Sequence, residues 1–229
     1  YTPPDRESWS FGPCDWMEDS EEYAGLPLSQ GKGVLDRDGQ YHLTARAKAE
    51  NIDRPQQLVV SADVKSPGNQ VIGTNALITV HPADFYIGLK PSTTFAQVNK
   101  PFAFQMITVS PDGKPLPDRS VKIRIVQRQW HSVRKAGIDG RYEWISRYVD
   151  TAVDSVRLSG QSEPVTSSFT LKQAGYYLLR AEGRDPAGRK TVSEVSFYVT
   201  GSGYVAWERE DDDRIELVPD KSRYQPGEV

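Results

Sequence analysis

The 229-residue chain has very little cysteine and histidine, and it has no long apolar run. Its one cysteine, Cys14, cannot form a disulfide within the chain and is too few for a structural zinc site. Without a run of about 20 apolar residues, no segment would span a membrane as a helix. Basic and acidic residues nearly balance at 28 and 31, and no Lys/Arg cluster occurs. We therefore expect neither nucleic acid nor a membrane among its contacts.

Both ends of the sequence lack the features of a natural terminus. The chain opens on Tyr1-Thr-Pro-Pro-Asp-Arg6 with neither Met nor a signal peptide, and it stops within Tyr224-Gln-Pro-Gly-Glu-Val229. Its length corresponds to one or two domains. We therefore expect a piece of a longer chain, and the single cysteine fits either the cytosol or a periplasm.

Alternation with a period of two dominates the sequence, and helical periodicity is nearly absent. In Val121-Lys-Ile-Arg-Ile125 apolar residues alternate with basic ones, which predicts a strand with one buried and one solvated face. The low hydrophobic content of 37% agrees with sheets that are wet on one face. The sequence therefore predicts an all-β fold. Other sets predicted to share a strand face are Phe102, Phe104 and Met106; Tyr177, Leu179 and Ala181; Val195, Phe197 and Val199; and Leu58, Val60, Ala62 and Val64.

Three Pro-containing segments are predicted to be tight turns between strands. In Ser110-Pro-Asp-Gly-Lys114, Pro presets its own φ and Gly accepts a positive φ. Asp185-Pro-Ala-Gly188 and Ser66-Pro-Gly-Asn69 have the same character. Turns of this kind between alternating runs indicate antiparallel hairpins.

Two weak internal repeats indicate domain boundaries. Ala62-Asp-Val-Lys-Ser-Pro67 aligns with Ala181-Glu-Gly-Arg-Asp-Pro186, which begins 119 residues later, and the alignment continues to Val80 on Val199. Each copy has the pattern of the terminal hairpin of a β-sandwich. A second repeat marks two domain starts, with Ile87-Gly-Leu89 recurring as Ile215-Glu-Leu217 and Phe95 as Tyr224.

The repeats divide the chain into three predicted parts. Residues 1–82 are the C-terminal part of one β-sandwich with a long N-terminal loop segment, and the first strands of that sandwich would precede Tyr1. Residues 84–200 form a complete seven-strand sandwich of the immunoglobulin or fibronectin-III type, and residues 204–229 form an acidic linker and the first strand of a following domain. Gly175-Tyr-Tyr177 falls where a tyrosine corner is expected. The seven strands are expected to begin near Phe85, Phe102, Val121, Glu143, Val165, Tyr176 and Val192.

The sequence contains no constellation typical of catalysis or of a cofactor. His42, His81 and His131 are far apart and have no carboxylate or thiol at metal-ligand spacing; His81 is interpreted as a residue at a strand end. Neither a Gly-x-Ser-x-Gly elbow nor a Gly-rich phosphate loop occurs. Glu21-Glu22 and Glu208-Arg-Glu-Asp-Asp-Asp-Arg214 are acidic; the second fits a solvated linker or a calcium site. We therefore predict a non-enzyme without catalytic, cofactor-binding or metal residues.

Two aromatic-rich stretches are candidates for recognition. Trp9, Phe11 and Trp16 are either a binding surface or part of a long excursion that packs its aromatics onto its own domain, the one ending near residue 82. Between Trp130 and Tyr148 the pattern predicts a strand, an exposed loop and a returning strand. Its solvent-facing basic residues would be Arg134, Lys135 and Arg141.

The C-terminal phrase Ile215-Glu-Leu-Val-Pro-Asp-Lys-Ser-Arg-Tyr-Gln-Pro-Gly-Glu228 resembles the opening strand of a macroglobulin (MG) domain of the α2-macroglobulin family. Tyr204-Val-Ala-Trp207 and the acidic linker resemble the join found in bacterial members. The middle domain is similar to an MG domain from Phe85 to Tyr198. The resemblance covers nearly the whole chain and implies tandem MG domains.

The resemblance implies a structural part of a broad-spectrum protease trap. In that family a bait region is cut by the attacking protease, the molecule rearranges and the protease is held. Many members have a thioester within Cys-x-Glu-Gln, whereas Cys14 is followed by Asp15-Trp16-Met17, so that part is expected elsewhere in the parent chain. The bait is expected in a later MG domain, such as one beginning at Arg214. The implied partners are the other domains of the parent chain and, through the whole protein, proteases.

The resemblance to bacterial members implies a periplasmic protein, whose parent could be a lipoprotein anchored to the inner membrane. Two other functions fit an array of sandwiches. One is a bacterial surface adhesin, although adhesin repeats are usually near-identical and these have diverged. The other is an accessory domain of a secreted polysaccharide-active enzyme. Its aromatic platform would come from Trp9, Trp16, Trp130 and Trp144.

Overall fold

The structure is a computed structural model that describes residues 1–14, 28–44, 52, 54–136 and 142–201, with the backbone alone for 132–136 and 142–146. The described residues contain ten β-strands and no helix, so the all-β prediction is confirmed. Consequently no helix among them is long and apolar enough to cross a membrane. The strands are β1 (Gln56–Lys65), β2 (Val71–Val80), β3 (Tyr86–Pro91), β4 (Phe95–Gln97), β5 (Pro101–Val109), β6 (Ser120–Ala136), β7 (Tyr142–Ser159), β8 (Val165–Thr170), β9 (Gly175–Arg184) and β10 (Lys190–Thr200).

The chain divides into two compact units. The first comprises Tyr1–Arg128 with Asp150–Val205, and the second comprises Gln129–Val149 with Ala206–Val229. Within the second unit, the ring of Trp130 packs edge-on against Tyr148 with centroids 5.1 Å apart. The first unit contains the sandwich core, the β1–β2 hairpin and the N-terminal residues.

Eight strands, β3 to β10, form a two-sheet sandwich. One sheet has three strands in the order β3-β5-β8, and the other has five in the order β4-β10-β9-β6-β7. The pairings that the described residues define are antiparallel except for β4, which runs parallel to β10. Sheets of this kind bury one face each and leave the other to solvent.

The core lies between the sheets, and strand alternation determines which side chains enter it. Phe102 of β5 stacks on Phe197 of β10 with ring centroids 3.9 Å apart, so this pair joins the two layers. In Val121-Lys-Ile-Arg-Ile125 the three apolar residues are fully buried and the two basic ones point outward, as predicted. The other buried core residues include Phe85, Ile87, Leu89, Phe104, Met106, Tyr177, Leu179, Ala181 and Val199.

Strands occur at all seven predicted positions, and the structure adds an eighth, β4. This strand has only three residues, Phe95–Gln97, which is too few for alternation to reveal it. The strand β6 also extends to Ala136, so Arg134 and Lys135 lie within a strand and not in the predicted loop. The side chains of these two residues and the whole of Arg141 lie outside the described residues.

A tyrosine corner is present at the start of β9. The hydroxyl of Tyr177 donates a hydrogen bond to the carbonyl oxygen of Gln173, four residues upstream, at 2.9 Å. The ring itself is buried, and it stacks against the ring of Phe197 with centroids 5.7 Å apart. Burial raises the pKa of Tyr177, which keeps the hydroxyl protonated and able to donate. The prediction from Gly175-Tyr-Tyr177 is therefore confirmed.

The hairpin of β1 and β2 repeats the geometry of β9 and β10. Its register pairs Gln56 with Val80 and Lys65 with Val71, and the terminal hairpin pairs the residues 119 positions later in the same way. Leu58 thereby takes the place of Tyr177, and Ile78 the place of Phe197. The face that carries Leu58, Val60, Ala62 and Val64 is thus equivalent to the core face of β9 and β10.

The turns of the two hairpins match as well, with one correction. In each, the first turn residue, Ser66 or Asp185, donates its N–H to the carbonyl four residues on and accepts from the N–H three residues on. The positive φ falls on Asn69 in the first hairpin and on Gly188 in the second. Gly68 was expected to supply it, but this turn needs the left-handed conformation at its fourth residue, where Asn is tolerated.

Candidate functional site

The three histidines are not brought together. His81 follows β2, and its Nδ1 lies 2.6 Å from the hydroxyl of Tyr86. Burial lowers the pKa of His81, which favours the neutral ring at this strand end. His42 and His131 are exposed. Within the described ranges, no group of three or more His, Cys, Asp or Glu side chains could hold a metal ion.

A network of charged residues fixes the start of the sandwich to the β9–β10 turn. The fully buried carboxylate of Asp185 accepts hydrogen bonds from the backbone N–H groups of Arg189 (2.9 Å) and Asp84 (3.2 Å), and from Nε of Arg189 (2.7 Å). Asp84 in turn pairs with Arg119 at 3.0 Å. The guanidinium of Arg119 also lies over the ring of Phe85. The sequence showed only the turn and gave no sign of these longer-range contacts.

The replacement Asp185→Asn is expected to lower stability by about 2 kcal/mol at neutral pH, because charged hydrogen bonds to a buried carboxylate are lost. Burial would raise the pKa of Asp185, but the hydrogen bonds and charge of Arg189 outweigh it and lower the pKa below 3.8. The stabilisation is therefore complete above about pH 4 and is lost as the pH falls through the folded-state pKa. Urea unfolding of both proteins between pH 7 and pH 2 measures the difference, which should shrink in acid.

The control for this prediction is Asp112→Asn. Asp112 lies in the turn of Ser110 to Lys114, which has the same backbone hydrogen bonds, but its carboxylate is exposed. We expect no measurable loss of stability there. A stability difference for Asp185→Asn that is absent at pH 7, or constant across the acid range, would contradict the prediction.

The aromatic residues near the N-terminus pack onto the three-stranded sheet. Trp9 and Phe11 contact a cluster formed by Tyr86, Ile107 and Val109, whose side chains leave the sheet on the face opposite the core. The expectation that they pack on the domain ending near residue 82 is therefore wrong for these two residues. The missed signal is their spacing, because residues two apart lie on one face of an extended chain. Trp16 lies outside the described residues.

Backbone hydrogen bonds hold the same segment against both sheets. Ser10 and Leu89 of β3 exchange two bonds, of 2.9 and 3.0 Å, as an antiparallel bridge. Gly12 accepts from the N–H of Glu194 in β10 at 2.9 Å and donates to the hydroxyl of Ser193 at 3.0 Å. The sequence gives no sign of this arrangement, since the contacts use main-chain groups that every residue has.

A shallow cavity of about 320 Å³ lies beside this segment. Arg6, Trp9, Thr108 and Glu163 are among the residues that line it. Its one threonine hydroxyl is already committed, because Thr108 donates to the carbonyl of Leu116 at 2.5 Å. Arg6 is held in place by a hydrogen bond from Nε to the carbonyl of Gly113 at 3.1 Å. The cavity therefore combines the charged side chains of Arg6 and Glu163 with a threonine hydroxyl that is already hydrogen-bonded.

The other aromatic candidates make packing contacts where they are described. Trp9 lies under the ammonium of Lys90, and Trp130 is buried against Tyr148. Neither ring offers the open flat face that a carbohydrate platform requires. The side chain of Trp144 lies outside the described residues, as do Glu21-Glu22, the acidic stretch 208–214 and the phrase 215–228.

The outer face of the five-stranded sheet carries a lattice of ion pairs. Arg128 of β6 makes a bidentate contact with Asp150 of β7, at 2.8 and 3.0 Å. Arg180 of β9 contacts both Asp150 and Glu194. Arg124 pairs with Glu182 in the same way. Cationic and anionic groups thus alternate across the strands, beside a buried apolar cluster of Val126, Tyr176 and Leu178 on the same face.

A two-sheet sandwich with a tyrosine corner defines a domain of the immunoglobulin-like class. The family of this domain follows from comparison with known sequences. The family model for bacterial macroglobulin domain 6 matches residues 88–202, which is half of the chain. The chain belongs to the bacterial α2-macroglobulin family.

Known relatives match all or most of the chain but are far longer. The α2-macroglobulin homologue of Nostoc sp. is 24% identical over 230 residues, covering 100% of this chain and 12% of the relative. The α2-macroglobulin of Pasteurella multocida is 21% identical over 201 residues, covering 85% of this chain and 10% of the relative. The chain thus spans about a tenth of the length of these curated relatives.

Solved structures of the same family share the fold. The native conformation of E. coli α2-macroglobulin superposes with a TM-score of 0.61 at 17% identity, over 99% of this chain and 15% of that one. Salmonella α2-macroglobulin reacted with methylamine gives 0.58 at 17% identity, over 86% and 13%. E. coli α2-macroglobulin activated by porcine elastase gives 0.55 at 18% identity, over 86% and 17%.

Proposed function

We propose that this chain is a non-catalytic structural part of a bacterial α2-macroglobulin-like protease trap. The match of residues 88–202 to a macroglobulin domain carries the proposal. A trap of this kind needs rigid modules that hold its bait and reactive parts in position. The buried aromatic core, the tyrosine corner and the ion pairs of the outer face are features of such a module.

The domain arrangement proposed for the chain has three parts. Residues 84–200 are one MG domain, and residues 1–82 are the C-terminal part of the domain before it. The equivalence of the two hairpins, in register and in turn geometry, supports this division. Residues 204–229 are the linker and first strand of the next MG domain, and the bait and thioester regions lie outside this chain.

The proposed partners are the neighbouring domains of the parent chain and, through the whole protein, proteases. Elastase activates the E. coli relative, which supports a protease as the target of the parent protein. We place the parent in the periplasm, where secreted proteases are met, with a lipid anchor to the inner membrane. The single cysteine is compatible with an oxidising compartment.

The test compares the whole parent protein with the 229-residue chain as elastase inhibitors. The parent protein should suppress elastase cleavage of a large protein substrate at a near-stoichiometric ratio. The isolated chain should leave elastase activity unchanged and should not hydrolyse peptides, esters or glycosides itself. A parent protein without inhibition, or an isolated chain that inhibits alone or turns over substrate, would contradict the proposal.

A further inference from the structure

We propose that the seam between β3 and β10, with the adjoining outer face of the three-stranded sheet, is a docking site for an extended peptide. Its occupant is the segment of residues 1–14, which we call the N-terminal strap. The strap ties the chain that precedes the β1–β2 hairpin to the sandwich that follows it. The strap would thereby act as a specific contact that holds two neighbouring domains together.

The outer face beneath the strap is built to be covered. Tyr86, Ile107 and Val109 point away from the core, yet all three are buried, because the strap residues Trp9 and Phe11 lie over them. The neighbouring residue on this face is Gly88. A Cβ added there would lie 3.0 Å from the ring of Phe11 and 2.7 Å from Cγ1 of Ile107. The absence of a side chain at residue 88 therefore lets the strap approach the sheet.

The main-chain contacts of the strap have the pattern of an added strand. The outer edge of β3 would leave its polar groups unpaired, and the Ser10 bridge occupies that edge at Leu89. Two residues later Gly12 satisfies the N–H of Glu194 on β10, a strand of the other sheet. The strap thus closes the gap where the edges of the two sheets meet. Such contacts select an extended chain and depend little on side-chain identity.

The strap also contacts the junction between the hairpin and the sandwich. Tyr1 packs edge-on against His81, with centroids 5.0 Å apart, and lies 5.3 Å from the ring of Tyr86. His81 is itself bound to Tyr86, and Pro82 and Ala83 between them are buried. The chain therefore reaches the sandwich twice, first through the strap and then through the junction at residues 81–86. Two attachments restrict rotation far more than one linker does.

The restriction of rotation rests on the proposed function, in which β1 and β2 end a preceding domain. The docking of the strap does not depend on that proposal. The experiment therefore begins with docking, in the full 229-residue chain. Ser10→Pro removes the N–H that bonds Leu89, whereas Ser10→Ala keeps both backbone bonds. We expect amide exchange at Leu89 and Glu194 to speed up about tenfold or more in Ser10→Pro and to stay within about twofold in Ser10→Ala.

The amides of Ile123 and Leu179 in the core serve as the folding control and should exchange at the same rate in all three proteins. A synthetic peptide of residues 1–14 is then added to the Ser10→Pro chain, and it should restore protection at Leu89 and Glu194. The same peptide with proline at position 10 should not. Unchanged exchange in Ser10→Pro, or failure of the unmodified peptide to restore protection, would overturn the docking site.

The coupling of the two domains is measured in a chain extended at its N-terminus by the strands proposed to precede Tyr1, with spin labels on cysteines placed at the exposed positions Asn75 in β2 and Ser168 in β8 and with Cys14 replaced by serine. The distance distribution should be narrow with the original strap and broaden in Ser10→Pro but not in Ser10→Ala. An equally narrow distribution in Ser10→Pro would overturn the coupling. None of these measurements involves a protease, so their failure is distinct from a failure of the proposed inhibitor function.

Discussion

Replacement of Phe197 by alanine is expected to lower the free energy of unfolding by about 4 kcal/mol, the usual range for removing a buried phenylalanine. The ring is fully buried and lies between Phe102, 3.9 Å away, and Tyr177, 5.7 Å away, measured between ring centroids. Its removal would separate the two sheets at their closest aromatic contact. Protein interiors are close-packed, so neighbouring side chains would not fill the space without strain.

The measurement is equilibrium unfolding in urea, followed by circular dichroism and by tryptophan fluorescence. The matched control is Phe95→Ala, because Phe95 also stacks on an aromatic ring, that of Tyr198, but is 64% exposed. We expect that control to lose no more than about 0.5 kcal/mol. Equal losses for the two replacements would mean that burial of Phe197 does not hold the sheets together.

Replacement of Ile78 by aspartate is expected to change the free energy of unfolding little in this chain and much in a longer one. Ile78 is 49% exposed, so a charge there costs within about 0.5 kcal/mol in the 229-residue chain. Its place in the hairpin is equivalent to that of Phe197, a core position. In a chain extended at its N-terminus by the strands that we propose to precede Tyr1, Ile78 should be buried. The same replacement should then cost about 3 kcal/mol or more.

The control for this prediction is Leu77→Asp, on the opposite face of the same strand. Leu77 is equivalent to Ser196, which lies on the outer face of the sandwich. The replacement of Leu77 by aspartate should therefore leave the stability of both chains nearly unchanged. Thermal unfolding of the four variant chains gives the comparison. If Ile78→Asp is as harmless in the extended chain as in the short one, β1 and β2 do not belong to a sandwich of their own.

Local chemistry explains why much of the sandwich could be predicted from the sequence. Alternation in Val121-Lys-Ile-Arg-Ile125 reports a half-buried strand, because side chains on a strand point alternately to its two faces. The turns at residues 110–114 and 185–189 follow from Pro and from residues that tolerate a positive φ. Both are properties of a few neighbouring residues. A single sequence is therefore enough to predict them.

The contacts that were missed depend on groups that carry no local signal. The bridge between Ser10 and Leu89 uses main-chain atoms, and the network around Asp185 joins residues 84, 119 and 189, which lie far apart in the chain. The short strand β4 owes its existence to its neighbour β10 and not to its own pattern. Such features follow from how the strands are arranged in space, and the sequence alone does not specify that arrangement.

The parallel pairing of β4 with β10 has a mechanical consequence. These two strands lie near the two ends of the sandwich sequence, and they meet through Phe95 with Tyr198, Ala96 with Val199 and Gln97 with Thr200. Tension applied to the two ends pulls parallel neighbours in opposite directions along their axes. Their hydrogen bonds are then loaded together in shear and cannot open one at a time. A domain held in this way transmits a pull to its neighbours in the chain before it yields.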